Sequence, residues 1–160
     1  MSVHGLIDNV AVGLGAKFTP KYFREGIQSL SIAENLQNTT ITVPKIAGIG
    51  DYTVSAATPV GELNAAIRLA QWVDEYHPTV IYHHGASEIP FDYGFKRIFP
   101  FKKENIPANL FLVRAPFHTT MKDFKHGIRT LANVVAMLSV SVALIEHIVQ
   151  FCKKSGSGKI

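Results

Sequence analysis

Val80-Ile-Tyr-His-His-Gly-Ala-Ser-Glu-Ile-Pro-Phe-Asp92 is the stretch on which the reading of this chain turns. Its apolar run breaks at His83-His84-Gly85, as a strand does when it delivers polar groups to a site. Thr79 to His83 is short, continuous and β-branched, which predicts a strand buried on both faces. A second run, Asn109-Leu-Phe-Leu-Val-Arg114, reads the same way and closes at Ala115-Pro116-Phe117-His118. In open α/β sheets ligands bind beyond the carboxyl ends of the strands. Both polar breaks fall at such ends, so the two loops are expected along one edge of a sheet.

Working outward, Asn38 to Pro44 and Tyr52 to Thr58 alternate with period two and predict strands, with Gly48-Ile-Gly50-Asp51 turning between them as a hairpin. Thr58-Pro59 looks like a helix start, with Thr as N-cap, Pro at the first helical position and Glu62 in the first turn. Leu63, Ala66, Ile67, Ala70 and Val73 would form its buried face, and Pro78 would end it. From Gly85 to Ala108 lies a long aromatic segment with a short helix expected at Tyr93 to Ile98; its length points to a functional loop or lid. Thr120-Met-Lys-Asp123 resembles a capping box and predicts one long helix to about Lys153. The order of elements predicts an α/β fold: a helical segment over 1–37, then a domain over 38–160 with a mostly parallel sheet, crossover helices and an N-terminal strand pair.

The bulk numbers fit one domain of 160 residues, 47% hydrophobic and 18% charged. The net charge of +4 comes from 16 Lys and Arg against 12 Asp and Glu, and the basic residues are scattered rather than gathered in a stripe. Nucleic acid is therefore not an expected partner. The single Cys152 cannot form an intramolecular disulfide, and the N-terminus lacks a basic leader and apolar core, so a cytoplasmic location is expected. Thr130 to Ile145 carries no charged side chain but is shorter than the roughly 20 residues a span needs. With Asn133, Ser139 and Ser141 inside it, it reads as a buried helix without stable membrane insertion.

Adjacent histidines invite a metal, but consecutive strand residues point to opposite faces, and no Cys pair or H-E-x-x-H supports them, so no metal is assigned. Gly156-Ser-Gly158-Lys159 follows a helix and lacks the P-loop pattern. No cofactor is implied. His84-Gly85 makes different sense: glycine lets the backbone turn sharply, so the next amides can point at a developing oxyanion.

With Pro116-Phe117-His118 ending the next strand, this pattern resembles the N-terminal half of the α/β-hydrolase family, esterases among them. The resemblance implies an oxyanion loop at His84, Gly85 and Ala86, with the Ala86 amide as donor and a small ester or amide as substrate. That family carries its nucleophile in a G-x-S-x-G elbow. No such motif occurs here, and Ser155-Gly-Ser-Gly-Lys-Ile160 looks like the loop leading into one, which implies an incomplete fold, inactive alone, that awaits a complementing C-terminal half. Ser87 is the serine beside the site, castable as nucleophile with His84 or His118 as base and Asp92 or Glu88 as orienter. A turn-forming role for Ser87 and a strand-end hydrogen bond for His118 account for the same residues. A second class of function is a non-catalytic α/β interaction module, or half of a split enzyme, that self-associates through an open sheet edge.

Overall fold

Local sequence and long-range pairing agree along most of the chain in the computed structural model, which describes residues 30–100 and 106–155. Residues 1–29 of the expected helical segment and the Gly156 to Lys159 stretch lie outside the described residues. Helix α1 (Ile32–Gln37) opens on a capping box: Ser31 Oγ accepts from the Glu34 amide while Glu34 accepts from the Ser31 amide. The strands are β1 (Thr40–Thr42), β2 (Gly50–Thr58), β3 (Gly61–Gln71), β4 (Thr79–His83) and β5 (Asn109–Arg114). Helices α2 (Tyr93–Ile98), α3 (Met121–Gly127) and α4 (Leu131–Lys154) complete the described elements.

One sheet has the order β1-β2-β3-β5-β4, so β5 lies between its partner β4 and the earlier β3. The fold is α/β, but the sheet is mixed: β4 and β5 run parallel, while β1–β2, β2–β3 and β3–β5 are antiparallel. The expected hairpin is present as β1 and β2, although Gly50 and Asp51 belong to strand β2 rather than to its turn.

The expected helix from Thr58 is instead strand β3. Thr58 and Gly61 pair across a tight turn in which the Thr58 hydroxyl donates to the Gly61 carbonyl and accepts from the Val60 amide. Gly61 takes a φ of 110°, open to glycine and strained for other residues. Leu63, Ala65, Ile67 and Leu69 are buried at period two, and this alternation outweighs the helical spacing through the same segment. The long helix is divided too. Thr120 caps α3 through the Asp123 amide, and Thr130 caps α4 through the Asn133 amide, breaking the chain between them.

The core lies between the sheet and α4. Val54, Ala56, Leu63, Ala65, Ile67, Leu69, Phe111 and Val113 cluster with Ala136, Val140, Leu144, Ile148 and Cys152, an α4 stripe at intervals of four. By length and composition α4 could cross a membrane, yet this stripe is buried against the sheet. On the other face Phe95 of α2 packs with Ala108, Leu110 and Leu112, flanked by Val80, Tyr82, Phe91 and Phe99.

Candidate functional site

Strands β4 and β5 end side by side, His83 paired with Val113, and bring the two expected loops together. Beyond β4 the chain folds into a turn closed by the Glu88 amide donating to the Gly85 carbonyl at 3.1 Å. Glu88 holds this turn from below. Its carboxylate accepts from the Gly85 amide at 3.0 Å, the Gly94 amide at 2.6 Å and the Tyr82 hydroxyl at 2.8 Å. Burial would raise the Glu88 carboxyl, but the Gly85 and Gly94 amides and Tyr82 bring it below its ordinary value. The Tyr82 phenol is pushed up to about 12 by burial and by that carboxylate.

His84 is 4% exposed and its role is set by its partners. The Ala115 amide donates to Nε2 at 3.0 Å, so the ring proton sits on Nδ1 and is donated to the Gly85 carbonyl at 2.8 Å. Burial is the main reason its pKa falls to about 4; the Gly85 carbonyl opposes the shift and His118 adds to it. His84 therefore acts as a neutral bracket between the loop after β4 and the end of β5.

His118, 2% exposed, sits against the His84 ring at 4.1 Å between centroids. Its Nδ1 lies 2.9 Å from the Pro116 carbonyl and its Nε2 2.7 Å from the Ala86 carbonyl. A neutral ring donates to one of these oxygens and an imidazolium to both. His118 is delivered by Phe117, whose φ of 62° lies in the left-handed region that bulky residues rarely occupy. Gly127 of α3 makes room for it: a Cβ there would lie 2.5 Å from the Phe117 ring.

The outcome is a turn in which several backbone groups are committed and two amides are not. The carbonyls of Gly85 and Ala86 and the amides of Gly85 and Glu88 all have partners. Among the described residues the Ala86 and Ser87 amides have none, and both residues are exposed. They lie past the end of β4, outside the sheet ladder.

The serine-based triad castable from the sequence is not assembled. His84 and His118 offer no free ring nitrogen to Ser87, Glu88 holds the turn, and Asp92 belongs to another network. In that network Arg68 of β3 donates to Asp51 through Nε at 2.5 Å and Nη2 at 3.0 Å, and pairs with Asp92, which Lys96 also reaches at 2.7 Å. Arg68 stacks over Phe91 at 4.8 Å. The histidine rings of positions 83 and 84 do not point apart as strand geometry predicts. The strand stops at His83, so they stack at 4.8 Å. Their nitrogens are engaged all the same, His83 with the His84 carbonyl and with Ser141 Oγ at 2.9 Å. Ser141 also donates to the Met137 carbonyl inside α4, and its contact with His83 ties β4 to that helix. No cluster of three His, Cys, Asp or Glu among the described residues suits a metal.

Sequence reasoning passed over Glu88 as an anchor and both arginines of this face, Arg68 and Arg114. The available signal was Arg114, a cation ending an otherwise apolar strand. What the fold and the site define is a mixed-sheet α/β domain that offers two amides at the carboxyl edge of its parallel pair. No protein-family model, curated protein or solved structure matches the chain.

Proposed function

We propose that this chain is a serine-hydrolase-like domain, of the esterase or related ester or amide hydrolase type, whose contribution is the oxyanion loop. The observation that carries this reading is the pair of unpartnered amides at Ala86 and Ser87, on a turn that His84, Glu88 and His118 hold in place. Preorganised donors of this kind stabilise the charge that develops on an acyl carbonyl, because they need no reorganisation as the reaction proceeds. The nucleophile is proposed to come from outside the described residues.

The Gly85–Glu88 turn permits a clean test, since Ala86 occupies the position where proline is favoured in a β-turn. Ala86→Pro keeps the turn and deletes one donor. Hydrolysis of p-nitrophenyl butyrate by the protein should fall about 10²- to 10³-fold in kcat with the fold intact. Unchanged turnover in that variant would remove the oxyanion role.

A second reading, a self-associating module or half of a split enzyme, is supported by the position of β4. It is a parallel strand at the edge of the sheet, with β5 as its one neighbour among the described residues. Parallel strands are usually covered on both sides, so this edge suits an added strand. Solution mass measured by light scattering tests it: a dimer that β4 substitutions dissociate supports it, and a monomer at high concentration counts against it.

A further inference from the structure

We propose that Arg114 is the anchor of a carboxylate-binding site, so that the ester presented to the Ala86–Ser87 turn carries a free carboxylate of its own. This deepens the oxyanion reading and rests on it only for the position of the reacting carbonyl.

Arg114 is the last residue of β5, where the parallel pair ends. Val113 pairs with His83, and the Ala115 amide is held by His84, so Arg114 lies between two contacts to the strand and loop that carry the turn. Strand alternation sets it on the same side as Leu112 and Leu110, the α2 side, which is also the side of Arg68. The two arginines differ sharply. Arg68 has two carboxylates and an aromatic face, whereas the Arg114 side chain makes no hydrogen bond or ion pair with any described residue, and its Nε is buried without a partner.

A buried donor left unpaired is costly, and folded chains rarely leave one without reason. The acids of this face do not supply the missing acceptor. Asp51 is taken by Arg68, Glu88 by Tyr82 and two amides, and Glu62 by the Ser55 hydroxyl, while Asp92 meets Arg68 and Lys96 through Oδ2 and keeps a buried Oδ1 that makes no hydrogen bond to Arg114. Opposite Arg114 on β3 is Ala66, whose methyl group offers the guanidinium no hydrogen-bond acceptor. A planar guanidinium fork matches a carboxylate through two parallel hydrogen bonds. One uncompensated cation balances one negative charge, which favours a monocarboxylate over phosphate.

The test uses monomethyl succinate, which holds an ester and a carboxylate, titrated against the protein while the Arg114 Nε–H and the Ala86 and Ser87 amides are followed by ¹⁵N NMR. All three resonances should shift with one saturation curve. Dimethyl succinate, and monomethyl succinate with Arg114→Met, should each bind about 10- to 100-fold more weakly, the worth of one charge-assisted pair. Arg114→Met should also melt no lower than wild type, and up to about 2–4 °C higher, because it removes an unpaired buried donor. An unmoved Arg114 resonance, equal affinity for the dimethyl ester, equally tight inorganic phosphate, or a clearly lower melting temperature in Arg114→Met would each overturn the carboxylate site. If Arg114 responds while the Ala86 and Ser87 amides do not, the carboxylate site stands and the oxyanion reading falls.

Discussion

Strand β5 faces two different environments. Toward α4 it presents Phe111 and Val113, fully buried among aliphatic and aromatic side chains. Toward α2 it presents Leu110, Leu112 and finally Arg114, on a face shared with the Arg68–Asp92–Lys96 network and the histidine-braced turn. The first face is closed by volume, with the His83–Ser141 contact at its rim, so the cost of removing a buried ring from it should not depend on pH. The second adds hydrogen bonds and charge to a smaller apolar cluster, so it responds to protonation and leaves selected polar groups unmatched. The contrast explains why candidate chemistry gathers where the covering is a loop and a short helix, since a 24-residue helix leaves no opening for it.

The largest effect should come from the volume side. Phe111 lies in edge contact with Trp72 at 6.4 Å and Phe151 at 5.9 Å between centroids, and it is fully buried. Phe111→Ala should cost about 3–5 kcal/mol in urea unfolding, from lost burial and the cavity left behind. If the faces differ as described, that loss is the same at pH 7 and pH 5. A strongly pH-dependent loss would break the distinction.

How much of this could be read from the chain depends on whether the deciding contacts are local. Thr79 to His83, Tyr93 to Ile98 and Asn109 to Arg114 fall where β-branched content and boundaries place them. Strand β3 was hidden because Leu63, Ala66, Ile67 and Ala70 satisfy a helical period, while the alternation Leu63, Ala65, Ile67, Leu69 has meaning only once α4 covers one side. That error also concealed Arg68, whose partners Asp51 and Asp92 are 17 and 24 residues away. The candidate carboxyl-edge site was legible in its residues, His84 to Ala86 and His118, because loops after apolar strands are marked by composition, although β4 is a half-buried edge strand and not the one buried on both faces that its composition predicts. Its wiring was not: whether a histidine nitrogen is a base or a bracket depends on carbonyls and amides about 30 residues distant in sequence.

On the polar face the sharpest probe is His84. Its folded pKa, lowered by burial to about 4 from 6.5, lies below that of the unfolded chain. The unfolded state therefore takes up the proton first as pH falls. Stability is complete above about pH 6.5 and declines until about pH 4, by roughly 3 kcal/mol from this residue alone. Urea unfolding across that range should show the decline in wild type and a flatter profile in His84→Gln, with the gap between the two changing by about that amount toward pH 4. Parallel profiles would mean that His84 is not the neutral bracket its partners imply.

The smallest effect separates the two arginine environments. Burial would raise the Asp92 carboxyl, but Lys96 and Arg68 hold it below the ordinary range. Its contribution is thus present at neutral pH and is lost as pH falls below about 4, through its lowered folded value. Asp92→Asn keeps the size of the side chain and removes the charge. Arg68 retains Asp51 and the Phe91 face, and Lys96 is exposed enough to return to water, so the loss should be moderate, about 1–3 kcal/mol at pH 7. Because the Asp92 side chain is only 6% exposed, most of that loss should persist in 0.5 M salt (about 4 Å screening length), whereas an exposed pair would be largely screened. A loss abolished by salt would place Asp92 among surface charges and reduce the contrast between Arg68 and Arg114 to a difference in exposure.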